Sequence, residues 1–428
     1  MKIGIIGGSG LEKSDILQNV EEFDIETPYG KPSSKIKKGN LYGEEIYFLS
    51  RHGKNHEITP THVNNKANIY ALTQLGCKYI LATTAVGSLR ENIIPKDFVI
   101  ANQFIDFTRH RNITFFENFK EEIKHISLAD PFSEQLRQYI IESCEELNLR
   151  HHKIGTILTI EGPRFSTRAE SFMFKKFAHV VNMSTSPEAI LAKEADVEYA
   201  VIAMSTDYDC WKKTEKPVTW EEIERVMNQN SENVKKVLIK TIGKISEQKT
   251  AKKEIGFIKD RIRTIPNFPE QGVMFRDITT LFKDNEGMRK VIDIFHNRYK
   301  DKKIDIIAGI ESRGFVIGGF LSERLNIGFI PIRKKGKLPH ETESQEYTLE
   351  YGTDAVEIHK DAIQPGQKVL LIDDLIATGG TASASCHLIE RLGGEIVECG
   401  FIIDLVDLKG KEKLTKYPVF SIVEFEGE

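Results

Sequence analysis

Short apolar runs of the kind that form buried strands recur along the chain, and most of them end in polar or small residues. In the first half these runs lie at residues 2–6, 45–49, 79–83, 98–101, 154–160 and 199–204, and helical patterns occupy residues 131–148 and 186–195. Buried strands that alternate with helices favour an α/β domain, in which the carboxyl ends of the strands carry the site. The pattern therefore predicts an α/β fold with functional residues directly after the strands.

The second half contains the same arrangement at residues 369–381, which read VLLIDDLIATGGT. The apolar run ends in two carboxylates, Asp373 and Asp374, and a turn of small residues at 377–381 leads into a helical pattern. Backbone N–H groups in such a turn can converge on a phosphate at a helix N-terminus, and the carboxylates can accept hydrogen bonds from a ribose diol. A glycine-rich turn alone can simply join a strand to a helix, but two preceding acids favour a site for a phosphorylated ribose.

The length of 428 residues predicts two or three domains. A polar segment at residues 246–253, SEQKTAKK, has no apolar periodicity and is typical of a linker. We therefore predict a first domain at residues 1–246, a linker at 247–254 and a second domain at 255–428.

Composition excludes few classes of protein. The formal net charge of −4 gives no reason to expect nucleic acid or an anionic membrane as a partner. Five scattered cysteines without CxxC spacing argue for a reducing compartment and against a zinc site or a disulfide framework. The chain shows no signal peptide and no apolar run long enough to span a membrane, so we expect a cytoplasmic protein.

Six segments of the first half occur in the order of one family: IGIIGGSGL, SRHGKNH, TTAVGSL, TIEGPRFSTRAESFMF, NMSTSPE and STDYDCW. Over residues 2–245 the chain resembles the methylthioadenosine phosphorylases, which belong to the trimeric purine nucleoside phosphorylases. The turn GGSG lacks the G-x-G-x-x-G spacing of dinucleotide sites, but its amides and hydroxyl could hold a single phosphate. The resemblance implies a nucleoside-phosphorylase-like α/β domain that cleaves a nucleoside with phosphate and needs no cofactor.

The resemblance also implies a role for each matching residue. The phosphate would be bound by Ser9, Arg51, His52, Thr84, the backbone of Ala85, and Ser184. The nucleoside would contact Phe165, Ser166, Met183, Asp207 and Asp209, and His125 resembles a residue that relatives lend to the neighbouring subunit. Arg51 offers a planar fork that fits two phosphate oxygens.

Asp207 is the most informative of these residues. A 6-amino purine presents an N–H donor and so wants a carboxylate, whereas a 6-oxo purine wants an amide donor. In the family, adenine-type enzymes carry Asp at this position, so Asp207 would bind adenine and act as general acid toward purine N7. Trp220 departs from the family, because relatives place small aliphatic residues there against the 5′ group; it either turns outward or reshapes the 5′ pocket.

The second half, from residue 263 to 425, resembles the adenine phosphoribosyltransferases of type I. The matching segments are FPEQGVMFRDIT, IAGIESRGF, IRKKGKLP, YTLEYG, IDDLIATGGT and LKGKEKL. The resemblance implies that backbone groups of Met274 and Arg276 bind adenine, and that Glu350, on a lid with Tyr351, is the general acid/base. Phosphoribosyl pyrophosphate would contact Ser312, Arg313, Arg333, Lys337, Asp373, Asp374, Ala377, Thr378, Gly379, Gly380 and Thr381. It further implies a cis or strained Glu311–Ser312 peptide, and Mg²⁺ that accompanies the pyrophosphate without a dedicated protein cage.

Together the two resemblances imply a bifunctional purine salvage enzyme. The first domain would convert 5′-methylthioadenosine and phosphate to adenine and methylthioribose 1-phosphate; the second would join adenine to phosphoribosyl pyrophosphate to give AMP. Two alternatives stay open: the first domain acts on adenosine or another 5′-modified adenine nucleoside, or the second domain is a ligand-sensing regulatory module. Trimeric and dimeric relatives also imply a homo-oligomer, for which a hexamer with D3 symmetry satisfies both interfaces.

Overall fold

The computed structural model describes residues 1–7, 17–118, 125–215, 219–348 and 353–427. The chain forms two compact units, Met1–Lys249 and Thr250–Glu428. This boundary falls inside the predicted linker at 247–254, and the segment is helical, because helix Trp220–Lys259 runs through all of it. Lys, Glu, Gln and Ala dominate there, and these residues have high helix propensity even where no apolar face is present.

The first unit is built on one mixed sheet. Its strands are β1 (Lys2–Gly7), β2 (Gln18–Phe23), β3 (Ile36–Leu41), β4 (Glu44–Ser50), β5 (Tyr79–Ser88), β6 (Phe98–Ile100), β7 (Gln103–Phe107), β8 (His151–His152), β9 (Thr156–Ile160), β10 (Val180–Asn182) and β11 (Glu198–Asp207). The α-helices are α1 (Asn65–Gln74), α2 (Glu134–Glu146), α3 (Arg168–Phe174), α4 (Thr185–Glu194) and α5 (Trp220–Lys259), and Pro60–His62 forms a 3-10 turn.

Strand β5 is the branch point of this sheet. It pairs in parallel with β1 and with β11, and its last residues, Gly87 and Ser88, pair in antiparallel fashion with β10. Strand β4 lies on the other side of β1 and is also parallel to it. Parallel strands end at the same edge of a sheet, so the carboxyl ends of β1, β4, β5 and β11 meet there.

Helices cover both faces of the sheet. Residues that are neighbours along a strand belong to different cores: Leu81 packs in one cluster with residues of α2 and α5, whereas Ile80 packs in the other with residues of α1 and α4. Side chains of a strand alternate between its two faces, so a strand buried on both faces reads as a continuous apolar run. The apolar runs of the sequence are therefore the inner strands of a three-layer α/β unit.

The second unit contains a seven-stranded sheet and a separate two-stranded sheet in the described residues. Its strands are β12 (Arg263–Pro266), β13 (Met274–Asp277), β14 (Ile306–Ile310), β15 (Gly328–Lys334), β16 (Thr342–Thr348), β17 (Thr353–His359), β18 (Lys368–Ile376), β19 (Glu395–Leu405) and β20 (Val419–Phe425). Its helices are α6 (Thr279–Lys283), α7 (Asn285–Tyr299), α8 (Arg313–Leu325) and α9 (Gly380–Arg391), and 3-10 turns lie at Val406–Leu408 and Gly410–Leu414.

The order of the larger sheet is β16-β17-β15-β14-β18-β19-β20. Neighbours among β15, β14, β18, β19 and β20 pair in parallel, whereas β17 pairs in antiparallel fashion with both β15 and β16. Here too, neighbours such as Leu370 and Leu371 belong to different buried clusters on the two faces. The predicted fold class, two α/β domains of these types, is confirmed. In the described ranges no helix is both long and apolar enough to cross a membrane.

Candidate active sites

A cavity in the first unit opens at the carboxyl ends of β5, β10 and β11. Eleven of the predicted site residues line it: Arg51, His52, Thr84, Ala85, Phe165, Ser166, Met183, Ser184, Asp207, Asp209 and Trp220. Ser9 lies outside the described residues, and His125 is exposed and does not line the cavity. The cavity has further lining residues that were not predicted from the sequence, namely His56, Pro60, Val86, Gly87, Ile160, Val181, Asn182, Thr206 and Ile223.

Arg51 belongs to a buried ion pair in this cavity wall. Its guanidinium contacts both carboxylate oxygens of Glu188, with Nη2 2.9 Å from Oε2, and its Nη1 donates to the Thr83 carbonyl at 2.8 Å. Tyr199 donates its hydroxyl to the same Glu188 carboxylate at 2.9 Å. The two-pronged contact that we expected with phosphate is thus made with Glu188, and binding of phosphate by Arg51 stays a prediction.

A cluster of hydroxyl and amide groups lies beside the ion pair, at the start of α4. The hydroxyls of Thr84 and Ser184 are 2.9 Å apart. Asn182 donates to the Thr84 hydroxyl at 3.2 Å and to Thr185 at 2.7 Å, and its own Oδ1 accepts from Thr159 at 2.9 Å. Ser184 is the N-cap residue of α4, yet its side chain makes no capping bond. Rotatable hydroxyls at a helix N-terminus suit an oxyanion.

Asp207, the last residue of β11, carries a proton more readily than an ordinary carboxyl group. Burial raises the pKa of Asp207 to about 6, although two hydrogen bonds favour the carboxylate. These come from the Thr206 hydroxyl at 2.7 Å and from the Asp209 backbone N–H at 2.6 Å. Burial also raises the pKa of Asp209. A buried carboxyl group that titrates near neutral pH is suited to general acid chemistry.

The sheet makes room for Asp207 by means of a glycine. A Cβ atom added at Gly87 would lie 3.1 Å from the Asp207 carboxylate and 3.2 Å from a Val181 methyl group. Any side chain at this point of β5 would therefore push on the acid, so Gly87 determines how closely the two strand ends approach.

Trp220 lines the cavity and forms the end of a ring stack. Its ring lies 4.8 Å from that of His56, which in turn lies 4.6 Å from that of His52. Ile223, one turn further along α5, lines the same cavity. The indole is 41% exposed, but it belongs to the cavity wall. Of the two alternatives for Trp220, the structure favours a reshaped pocket.

The second unit places Asp373 and Asp374 near the end of β18, as predicted. The Asp373 carboxylate accepts the Asp374 backbone N–H at 2.8 Å, and Arg313 Nε lies 2.7 Å from an Asp374 oxygen. Burial raises the pKa of both groups; the charge of Asp374 raises the pKa of Asp373 further, whereas Arg313 opposes the shift at Asp374. Hydrogen bonds from a bound ligand would lower both pKa values again and favour the ionised carboxylates.

The turn after β18 is held against a second loop by backbone contact. Gly379 is the N-cap of α9 and has a left-handed φ of 72°, and a Cβ atom on it would lie 2.3 Å from the Gly410 carbonyl oxygen. A Cβ atom on Gly410 would lie 2.2 Å from the Ala377 carbonyl oxygen. Ala377, Thr378, Gly379, Gly380 and Thr381 therefore form a turn whose position depends on two glycines, and its amides lie at a helix N-terminus.

The predicted pyrophosphate ligands Arg333 and Lys337 converge on Glu311. Arg333 Nε donates to Glu311 at 3.2 Å, the Lys334 backbone N–H donates to it at 3.0 Å, and Lys337 forms an ion pair with it. The Glu311–Ser312 peptide bond is cis, as expected, and Ser312 is the N-cap of α8 without a capping side-chain bond. Glu311 thus organises the basic loop next to the segment that carries Ser312 and Arg313.

Met274 and Arg276 lie on β13, which pairs only with β12 among the described residues. The Arg276 side chain is buried and donates to Thr264 at 2.7 Å and to the Gly427 carbonyl at 3.2 Å. These bonds occupy its Nη1 and Nη2 groups, whereas its buried Nε has no hydrogen-bond partner in the part of the chain that the structure describes. Binding of adenine by backbone groups of this strand stays a prediction. Glu350 and Tyr351 lie outside the described residues. In the described part of the chain no cluster of His, Cys, Asp and Glu could hold a metal ion.

Two family models match the chain, and each matches one of the two units. The model of the Phosphorylase superfamily matches residues 2–243. The chain belongs to this superfamily. The model of the Phosphoribosyl transferase domain matches residues 277–427, so the second unit of this phosphorylase-superfamily chain contains a phosphoribosyltransferase domain.

The most similar proteins cover the first unit. An S-methyl-5′-thioadenosine phosphorylase of Ciona intestinalis is 47% identical over 251 residues, which are 58% of this chain and 90% of the relative. The enzyme of the same name from Hyperthermus butylicus is 50% identical over 57% of this chain and 88% of its own length. Among solved structures, a methylthioadenosine phosphorylase from Schistosoma mansoni in complex with adenine is 38% identical, with a TM-score of 0.56 over 58% of this chain and 92% of that one. The first unit is therefore similar to methylthioadenosine phosphorylases over almost their entire length.

The contact between Gly379 and Gly410 can be tested with two matched alanine variants. Gly379→Ala and Gly366→Ala both place a side chain at a left-handed φ, but only the first creates a collision, because no atom lies within 4 Å of a Cβ on Gly366. Both should lose about 1 kcal/mol of unfolding free energy from backbone strain. Gly379→Ala should in addition weaken binding of phosphoribosyl pyrophosphate, measured by calorimetry, at least about tenfold. Equal affinities in the two variants would contradict the role of this contact.

Proposed function

We propose that this chain is a bifunctional purine salvage enzyme. The first unit cleaves 5′-methylthioadenosine with phosphate to adenine and methylthioribose 1-phosphate, and the second unit converts adenine and phosphoribosyl pyrophosphate to AMP and pyrophosphate. The observation that carries the proposal is the Asp207 carboxyl group, buried in a cavity that also contains the hydroxyl cluster of Thr84 and Ser184. An acid for a purine and donors for an oxyanion in one cavity are what phosphorolysis of an adenine nucleoside requires.

In the first site each group has a role that follows from its chemistry. Thr84 and Ser184 donate hydrogen bonds to phosphate, which attacks the anomeric carbon as the bond to the purine breaks. Positive charge develops on the ribose in the transition state, and the adjacent phosphate stabilises it. Asp207 gives its proton to purine N7 as electrons flow into the leaving base, and a pKa of about 6 makes this transfer possible near neutral pH. Asp209 and Ser166 complete the surroundings of the base.

In the second site the turn 377–381 binds the 5-phosphate of the donor, and Asp373 and Asp374 accept hydrogen bonds from its ribose hydroxyls. Arg313 lies next to the acid pair, where it balances their charge and can reach pyrophosphate. Magnesium would bind chiefly to pyrophosphate oxygens and water and would neutralise the leaving group. Glu350 is proposed as the acid/base, since the donor reacts with a purine nitrogen that must lose a proton.

A second candidate substrate for the first unit is adenosine. A related Schistosoma mansoni structure is described as an adenosine/methylthioadenosine phosphorylase, with 37% identity and a TM-score of 0.55. In this chain, Trp220 and Ile223 give the cavity an apolar wall, which favours a thioether over a hydroxyl because burial of a hydroxyl without a partner is costly. We therefore place methylthioadenosine first and adenosine second. The hexameric assembly stays a prediction.

The coupled reaction tests the whole proposal. With methylthioadenosine, phosphate, magnesium and phosphoribosyl pyrophosphate, the chain should form AMP with little free adenine. Without the pyrophosphate donor, adenine should accumulate to an equilibrium short of completion, because phosphorolysis is readily reversible in the family. Chromatography of both mixtures measures adenine and AMP directly. Adenine that is released but never converted to AMP would disprove bifunctionality, and a panel containing adenosine would rank the nucleosides.

The role of Asp207 predicts a pH dependence. The protonated acid is the active form, so above about pH 6 its contribution to kcat/KM should fall roughly tenfold per pH unit. Asp207→Asn cannot supply this proton and should lower kcat/KM for methylthioadenosine about 100-fold near pH 6, with a loss that shrinks as pH rises. The ratio of wild type to variant removes the titration of phosphate itself. Asp130→Asn, at an exposed position, is the control. A ratio that is constant with pH would show that Asp207 is not the acid.

Separate sites predict separate loss of activity. Replacing Asp373 and Asp374 by Asn should lower the rate of AMP formation at least about 100-fold, because the ribose loses its charged acceptors. Phosphorolysis should change by no more than about twofold, since the first cavity contains neither residue. Asp361→Asn, exposed in the same unit, controls for loss of a charge. A folded double variant that loses both activities would contradict two independent sites.

A further inference from the structure

The first unit contains a second cavity, which shares no lining residue with the one described above. It lies at the start of α1, and its walls include Tyr29, His62, Asn65, Lys66, His110 and Arg111. These walls are almost entirely polar, and in the described part of the chain none of them is a carboxylate. The Glu161 carboxylate lies behind this wall, where it accepts the His110 backbone N–H at 3.1 Å and pairs with Arg111. A cavity lined by several donors and by no acid favours an anion.

The Asn65 side chain indicates that a ligand with a hydrogen-bond donor completes the site. The side chain is 5% exposed, its Nδ2 donates to the Val63 carbonyl at 3.2 Å, and its Oδ1 has no hydrogen-bond partner. Buried acceptors are nearly always satisfied in folded proteins. The adjacent residue Asn64 donates its Nδ2 to the Tyr29 carbonyl at 2.7 Å, so it does not supply the missing donor.

One buried cation, Lys66, supplies the charge, because its acid partner among the described residues is exposed. Lys66 is only 7% exposed, and its ammonium group lies 4.5 Å from the centre of the Tyr29 ring and 3.3 Å from a carboxylate oxygen of the exposed Glu117. An exposed partner screens such a buried charge poorly. Arg111 is buried too, but it forms an ion pair with Glu161, with Nε 3.4 Å from Oε1. It also donates to the Met183 carbonyl at 2.6 Å and to the Ile160 carbonyl at 3.3 Å. The N-terminus of α1 adds partial positive charge.

We propose that this cavity is a second phosphate site, which binds monohydrogen phosphate. The hydroxyl of the anion donates to Asn65 Oδ1, and its other oxygens accept from Lys66 and from the remaining N–H of Arg111. Monohydrogen phosphate combines negative charge with a donor hydrogen, whereas sulfate near neutral pH has the charge and no hydrogen. The site therefore discriminates between two anions of similar size and shape by a single hydrogen bond.

The contacts of Arg111 extend to the wall of the neighbouring cavity. Met183 and Ile160, whose carbonyls Arg111 holds, both line that first cavity. Arg111 already makes these bonds and its ion pair with Glu161 within the chain, so it separates the two cavities and keeps the first site independent of the second.

Equilibrium dialysis of the full chain with radiolabelled phosphate tests the proposal. Asn65→Asp keeps the size of the side chain but repels the anion, and Lys66→Met removes the buried charge. Each variant should lose a single phosphate per chain, or bind it at least about tenfold more weakly, while the KM for phosphate in phosphorolysis stays within about twofold. Lys153→Met, at an exposed position, should bind as wild type. Sulfate should displace phosphate from this site at least about tenfold less effectively than unlabelled phosphate does.

Equal phosphate stoichiometry in wild type and both variants would overturn the proposal, as would equal competition by sulfate and phosphate. If Asn65→Asp fails to fold, as judged by circular dichroism, Lys66→Met alone decides. Crystals of wild type grown with phosphate should show tetrahedral density between Asn65 and Lys66; water alone there at saturating phosphate would also refute the site. None of these readouts requires the second unit to be active, so they are independent of the bifunctional proposal.

Discussion

The buried pair of Arg51 and Glu188 is the constraint on which the first site depends. Arg51 follows β4, Glu188 lies in α4, and Tyr199, which also bonds Glu188, lies in β11. The two charged side chains are 2% and 0% exposed, so removal of either partner would leave an uncompensated charge in a dry interior. The pair therefore fixes the relative positions of three elements whose ends form the cavity, and the hydroxyl cluster and Asp207 are placed relative to it.

The second unit reaches comparable precision by different means. Its turn at 377–381 is positioned by the contact of two glycine backbones, and its buried acid pair is balanced by the partly exposed Arg313. Contacts of backbone with backbone leave little freedom to adjust, whereas an ion pair at partial exposure can exchange partners. The two units thus combine similar layer architecture with different ways of positioning their candidate site residues.

Much of this could be predicted from the sequence. Continuous apolar runs predicted the inner strands correctly, because residues buried on both faces of a sheet leave an unambiguous pattern, and most predicted cavity residues of the first unit do meet in space. The role of Glu188 could not be predicted from pattern alone, although it is the final residue of the quoted segment NMSTSPE. A buried partner of a buried charge looks like any exposed acid until the fold is known. His56 and Asn182 also lie within quoted segments, but only the fold shows that their side chains line the cavity.

Helix α5 shows why the linker segment at 247–254 is helical although it lacks apolar periodicity. Polar composition without periodicity normally indicates an irregular connection, but the same residues have high helix propensity, and flanking apolar positions such as Ile245 and Ile258 anchor the helix in each unit's own core. The border between the two compact units consequently falls within a helix and not at the end of one. Expression of the two units as separate chains cut at this border would therefore create two new helix ends. Their terminal N–H and C=O groups would lose the hydrogen-bond partners that the continuous helix gives them.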